Sequence, residues 1–302
     1  MQPKSNKFSL LSKYRTWILI FALILFLPPL AVIFQVSTGD NSFCGKWCLR
    51  MFFVWREGIT VQQYFTGWLR SFMGAGLVLG VLGATLFFGR HWCSHICPIG
   101  GAMELGSRIT PKFLKMDFKT IPAAPVRYGY LAVFILAPIV GAGSLCCNYC
   151  NFATIPRIAG APFSQADLAY FFRTYGIINL AMVGILGFFA KGGRAYCNFF
   201  CPIGALDAAV NRIGAKLGSR MRVIEDRCSN CGLCQDSCPT GAINKDNKDH
   251  ITQIDQLSCF PCRQCQKVCP RSAIAYGRFA ERLERQTHEA DNNQMKNRML
   301  PT

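Results

Sequence analysis

The sequence is short of charge. Only 16% of its 302 residues are charged while 51% are hydrophobic; ordinary soluble domains carry roughly 25% charged residues. Acidic residues are the scarcest, 16 Asp and Glu against 33 Lys and Arg, for a net charge of +17. A basic balance serves nucleic acid, an anionic membrane surface or membrane topology. The long apolar runs make topology the reading here, and no nucleic-acid partner is expected. Histidine is sparse at 4 residues, with no Cys-x-x-Cys-His run and none in mid-helix, so a haem reading fails. No Walker loop, dinucleotide fingerprint or hydrolase triad is present. No Ala-x-Ala-like cleavage site follows the first apolar run, and that run is too long for the core of a signal peptide. It reads as an uncleaved first membrane helix.

What is there is apolar length and cysteine. Four segments approach the roughly 20 residues a bilayer crossing needs: Thr16–Val36, Ser71–Gly89, Tyr128–Leu145 and Tyr175–Ala190. Pro28-Pro29 is expected to kink the first. The loop Ser37–Arg70 carries Lys46, Arg50, Arg56 and Arg70, and the loop Cys146–Thr174 only Arg157 and Arg173, leaving 27 basic residues on the other side. Positive charge stays inside, so both termini are expected in the cytoplasm of a bacterial inner-membrane protein, with these two loops facing the periplasm.

The membrane part is an internal repeat. Cys44-x3-Cys48 and Gly-Arg-His-Trp-Cys93-x3-Cys97-Pro-Ile-Gly return as Cys146-Cys147-Asn-Tyr-Cys150 and Gly-Arg-Ala-Tyr-Cys197-x3-Cys201-Pro-Ile-Gly. The first pairing is offset by 102 positions and the second by 104. Each half crosses twice, so the halves run the same way, related by a pseudo-twofold axis along the membrane normal. The expected fold is a membrane all-α domain of four helices in two parallel hairpin repeats over residues 1–220. A small α+β two-cluster ferredoxin domain follows at 221–277, and a polar tail at 278–302.

The strongest motif is the pair Cys228-x2-Cys231-x2-Cys234-x3-Cys238-Pro239 and Cys259-x2-Cys262-x2-Cys265-x3-Cys269-Pro270. This is the bacterial ferredoxin spacing for two [4Fe–4S] clusters, in which the fourth cysteine of each run ligates the other cluster. Cluster 1 is assigned to Cys228, Cys231, Cys234 and Cys269, and cluster 2 to Cys259, Cys262, Cys265 and Cys238. A zinc site wants four ligands rather than eight in this order. A core this small also fits folding around its metal.

The two Cys-x3-Cys-Pro motifs are weak singly. Across the pseudo-twofold, Cys93, Cys97, Cys197 and Cys201 either converge on one metal centre or cluster, or pack the helix ends as free thiols. Cys44, Cys48, Cys146 and Cys150 stand on the outer side as disulfides, a second centre or free thiols, with Cys147 the odd one out. His91 and His95 flank Cys93, and Glu104 and Asp207 follow the two motifs at similar offsets. These four are the acid–base candidates for accepting quinol protons, against the plainer reading of interfacial histidines and salt-bridged carboxylates.

These segments, Cys93–Gly100, Cys197–Ala205 and the eight cysteines from Cys228 to Cys269, resemble the NapH/MauN family of membrane ferredoxins over nearly the whole chain. The resemblance implies a quinol dehydrogenase membrane component: membrane quinol is oxidised, and electrons pass to a periplasmic iron–sulfur or cytochrome partner and then a terminal reductase. The outer cysteines depart from that pattern. If they hold a centre, they link an inside ferredoxin domain to an outside acceptor. Related Cys-Pro membrane ferredoxins also imply two alternatives, an assembly factor reducing copper or thiols and a redox sensor.

Overall fold

The structure is a computed structural model that describes residues 13–27, 72–118, 121–139, 149–245 and 252–277. Helix α1 (Arg15–Phe26) is apolar over its full length behind one arginine. Helix α2 (Phe72–Phe88) leads through a π-helical turn (Trp92–Ile96) into the amphipathic α3 (Pro98–Ile109). Helix α4 (Ala123–Ile139) follows. Then come α5 (Asn151–Gly160), α6 (Gln165–Phe171) and α7 (Thr174–Val183), the last continuing as a π turn over Gly184–Phe188. The short α8 (Ala195–Phe199) and the amphipathic α9 (Pro202–Ile213) complete this part.

Among the described residues no single helix is long and apolar enough to cross a membrane. Helices α2 and α4 have 17 residues each, about 25 Å of rise against a hydrocarbon core of about 30 Å. Helices α6 and α7 with its π turn reach the necessary length and composition together, bent by 83° between them. The four expected spans thus fall on helices at their described positions, with shifted bounds. The third begins at Ala123 rather than Tyr128. Arg127, one residue before the expected span, lies inside the helix as a buried, hydrogen-bonded residue. Pro125 sits in the first turn, where no amide donor is needed. Residues 28–36 and 140–145 of the expected spans lie outside the described residues.

The halves meet in one core of Phe26, Ile99, Met103, Ile155, Val183 and Tyr196. Val133 and Leu136 of α4, Leu79 and Phe87 of α2, and Ile177 and Leu180 of α7 stay exposed.

The C-terminal part is two small antiparallel sheets around two short helices. Strand β1 (Arg220–Val223) pairs with β4 (Ile274–Gly277) in the register Arg220↔Gly277 to Val223↔Ile274. Between them in the chain, β2 (Ile243–Lys245) pairs with β3 (Thr252–Ile254). Helices α10 (Leu233–Ser237) and α11 (Gln264–Val268) pack on each other. Their core is Met221, Ile243 and Ile274 with Cys234 and Cys265. So little apolar area stabilises little at roughly 25 cal/mol per Å², and a core part-built of thiols is one that a bound cluster completes.

Candidate iron–sulfur centres

The left-handed residues Gly232 (φ +81°) and Arg263 (φ +59°) stand at matching places before α10 and α11. Each reverses the chain between the second and third cysteine of its run, so that three thiols turn to one side. Cys228, Cys231, Cys234 and Cys269 line one cavity. Its fourth cysteine comes from the other run, as the ferredoxin spacing requires. Thr252 Oγ1 lies 3.7 Å from Cys228 Sγ, and the Ala273 N–H donates to Cys269 Sγ at 3.2 Å. Cys259, Cys262 and Cys265 lie in the electrostatic field of Cys238. Burial pushes the Cys259, Cys262 and Cys265 thiols up, with neighbouring sulfurs adding to it for Cys259 and Cys265. Such a set holds negative charge once metal replaces the protons.

The repeat builds a third set. Cys97 and Cys201 cap α3 and α9, with Pro98 and Pro202 as first helical residues. Proline costs nothing there because that amide has no partner in the helix. The free amides of the first turn point at sulfur instead. Gly204 N–H donates to Cys201 Sγ at 3.3 Å. Burial raises the Cys97 thiol, and the Gly100 and Ile99 amides draw it back down. Cys93 feels Cys97 and Cys201; Cys197 feels Cys201 and Cys97. Each of these thiols thus lies within electrostatic reach of sulfur from the other half. Among the described residues no three Cys, His, Asp or Glu side chains close on a single metal ion, whose thiolates would stand about 4 Å apart.

Two arginines cross between the halves around this set. Arg194 Nε donates to Glu104 Oε2 at 2.9 Å and its Nη1 to the Cys93 carbonyl at 2.8 Å. Arg90 Nε donates to Asp207 Oδ2 at 3.0 Å and its Nη2 to the Gly204 carbonyl at 3.1 Å. Both guanidiniums are buried, and their charge lies beside Cys197, with Cys93 on one side and Cys97 on the other. Gly100 makes the room: a Cβ there would stand 1.9 Å from Arg194 Nη1. These arginines escaped the sequence reading. The signal was present, since each Gly-Arg pair precedes its cysteine motif and Arg90 and Arg194 share the 104-residue offset of the cysteines.

The four acid–base candidates sit in hydrogen-bonded places, buried and ion-paired for Glu104 and Asp207, the plainer of the two readings for the carboxylates. Glu104 is a buried salt-bridge hub, accepting from Arg15 at 2.7 Å and 2.5 Å, from Arg108 at 2.8 Å and from Arg194. Burial alone would raise its carboxyl, but the Arg194 and Arg15 charges outweigh that and hold it at about 2. Asp207 accepts from Thr85 at 2.5 Å, from Arg90 and from Cys93 Sγ at 3.2 Å. Burial and neighbouring positive charge depress His91 to about 3 and His95 to about 4. Glu104, His91 and His95 are therefore poor proton acceptors, and Asp207 is tied into hydrogen bonds with Thr85, Arg90 and Cys93. Of the outer set, Cys44, Cys48, Cys146 and Cys147 lie outside the described residues, and Cys150 is buried with no disulfide among the described residues.

The ferredoxin unit is bolted to the repeat on the side of Cys259. Arg90 Nη1 and Arg127 Nη1 both donate to the Leu257 carbonyl, at 3.0 Å and 2.8 Å. Arg127 also holds Asn198 and Ser258, and Asn198 donates to the Thr240 carbonyl at 2.8 Å. Tyr276 donates to the Phe88 carbonyl at 2.7 Å, and the Arg194 guanidinium lies 5.1 Å from the Phe260 ring centre. Cys259 thus lies in the field of Arg90, and so does Cys93.

Comparison with known proteins agrees with this division. A 4Fe-4S binding domain model matches twice, at residues 71–117 and 175–220, one match per repeat half. A 4Fe-4S dicluster domain model matches residues 220–289. The methylamine utilization ferredoxin-type protein MauN of Paracoccus denitrificans is 28% identical over 192 residues, 60% of this chain and 59% of MauN. YccM of Escherichia coli, whose name assigns it to electron transport, is 26% identical over 213 residues, 68% of this chain and 56% of YccM. This chain is a MauN/NapH-type ferredoxin. As such a ferredoxin it is an iron–sulfur electron-transfer protein. An uncharacterized protein of Methanocaldococcus jannaschii is 24% identical over 216 residues, 70% of this ferredoxin and 75% of that protein. No solved structure matches.

Proposed function

We propose that this ferredoxin is a membrane electron-transfer subunit that oxidises quinol and delivers the electrons to a periplasmic redox partner. The observation that carries the reading is the continuity of the three thiol sets. Cys238 and Cys259–Cys265 lie against the repeat, and Arg90 is shared between Cys259 and Cys93. The Cys228–Cys234 set with Cys269 lies at a cavity of the ferredoxin unit, and Cys231 is exposed.

The residues present suit [4Fe–4S] clusters. Two are assigned to the ferredoxin sets and one to Cys93, Cys97, Cys197 and Cys201, held jointly by both halves of the repeat. When bound, such clusters take up and release one electron at a time. The chain supplies buried thiols, helix-end amides aimed at sulfur, and the two crossing arginines that offset thiolate charge. Oxidation of one quinol to quinone would release two electrons and two protons, and clusters held by these thiols would supply one-electron acceptors.

The membrane setting rests on the apolar faces that α2, α4 and α7 leave exposed, on the basic side set against the poorly charged loops, and on the bent pair α6–α7. Helices with such faces need lipid or partner helices to cover them. Both termini and the ferredoxin unit belong to the cytoplasmic side in this reading.

The test is anaerobic mixing of the oxidised protein with a reduced menaquinol or ubiquinol analogue, with the clusters followed by EPR. Reduction that a quinol-site inhibitor blocks is the expected result. Clusters that a low-potential donor reduces and quinol does not would overturn the reading, and would favour an assembly factor that reduces copper or thiols.

A further inference from the structure

A cavity of about 320 Å³ opens between the ferredoxin unit and the repeat. That is within the range of small-molecule sites, about 300–1,000 Å³. Its two sides differ in character. Phe118, Ile121 and Phe199 give an apolar floor on the repeat side, with the Phe118 and Phe199 rings 6.3 Å apart edge to face. Thr240, Asp255 and Ser258 give a polar roof on the ferredoxin side.

Its charges are spoken for. Lys191 pairs with Asp117 at 3.4 Å at the rim, and Arg194 is engaged with Glu104. No surplus of positive charge is left to hold a phosphate, so the lining suits a neutral ring with hydroxyl or carbonyl oxygens at its edge. Asp255 Oδ1 accepts the Leu257 N–H at 2.9 Å, which leaves its second oxygen for a ligand hydroxyl.

Placement narrows the ligand further. Pro239 and Ser258, both lining the cavity, are the chain neighbours of Cys238 and Cys259. Asn198, on the opposite wall, is the neighbour of Cys197. A ring bound here stands between two thiol sets. Ile121 at the floor is 44% exposed, and farther along α4 Val133 and Leu136 are 54% and 55% exposed. An attached hydrocarbon tail has a surface to follow.

We infer that this cavity is the binding site for the quinol headgroup, with Phe118 and Phe199 beneath the ring and Asp255 at one of its oxygens. The inference rests on the quinol reading above and gives it a location at the seam of the two units, away from Glu104, Asp207, His91 and His95.

The test is photolabelling of the intact, cluster-loaded protein with an azido-quinone, followed by peptide mapping. It is run on the wild type and on Ala124→Trp, a half-buried cavity position. Label within residues 117–124, 191–199 or 239–258 of the wild type, reduced at least tenfold in Ala124→Trp at equal iron content, is the expected result. If Ala124→Trp does not fold, Asn244→Trp fills the cavity from the exposed opposite wall and serves in its place. Label elsewhere, with quinol still reducing the clusters, overturns the site and leaves the quinol reading standing. No label and no reduction by quinol overturns both.

Discussion

Arg194 reaches from the second half of the repeat to Glu104 in the first, Nε donating to Oε2 at 2.9 Å. Arg90 returns the gesture to Asp207 at 3.0 Å. Each half thus carries the cation that neutralises the other's carboxylate, and both cations flank the repeat cysteines.

Removing one partner of a buried pair leaves an uncompensated charge and costs about 3–5 kcal/mol. Arg194→Ala is expected to lower the unfolding midpoint strongly, and to lower the redox potential of the centre at Cys97 and Cys197 because a positive charge beside the thiolates is lost. Arg194→Met with Glu104→Met should recover none of the stability, since removing Glu104 also strips the buried Arg15 of its carboxylate. Thermal unfolding and an EPR redox titration of the three proteins check this; equal potentials in wild type and Arg194→Ala would refute the electrostatic part.

Glu104 also sets a pH dependence. Its carboxyl titrates at about 2 in the fold, below the ordinary 4.5. A depressed carboxyl contributes its full stabilisation above the unfolded value and loses it as pH falls toward the folded one. The contribution, on the order of 3 kcal/mol, is present above about pH 4.5 and fades between there and pH 2. Urea unfolding across that window should show a steeper loss in wild type than in Glu104→Gln. Parallel curves would contradict the hub.

The crossed ligation of the ferredoxin runs is separable by single substitutions. Cys269→Ser is expected to disturb the centre at Cys228, Cys231 and Cys234, whose cavity it shares, and to spare the one at Cys259, Cys262 and Cys265. Cys238→Ser should do the reverse. EPR of the reduced proteins distinguishes the two centres, and loss of the centre in the same run as the substituted cysteine would refute the pairing.

Membrane orientation is open to cysteine labelling. Phe163, 92% exposed between α5 and α6, belongs to a poorly charged loop; Lys216 is exposed beyond α9 on the basic side. An impermeant thiol reagent should modify Phe163→Cys in intact cells and Lys216→Cys only after permeabilisation. The opposite pattern would invert the topology, and modification of both in intact cells would remove the membrane from between them.

Much of this was legible in the residues because the cysteine spacings carry their own geometry. Three thiols at x2 intervals need only a left-handed turn, supplied at Gly232 and Arg263, to face one way, and the equal offsets across the repeat set Cys93, Cys97, Cys197 and Cys201 at matching places in the two halves. Helix bounds were less legible: the expected third span starts at Tyr128, whereas α4 starts at Ala123 and holds Arg127 buried against Asn198 and Leu257. The fate of Glu104 was hidden for a similar reason. Its partners are 89 and 90 residues away at Arg15 and Arg194, and no local pattern reveals a contact made only when the two halves close on each other.

The claim on which the rest depends is that the two halves of the repeat jointly hold a third cluster beside the ferredoxin pair. Iron and labile sulfide counted on anaerobically purified protein test it directly. About 12 iron per chain, falling to about 8 in Cys197→Ala with the ferredoxin signals intact, is the expected result. About 8 iron in the wild type, unchanged by Cys197→Ala, would leave the repeat cysteines as packing thiols and contradict the claim.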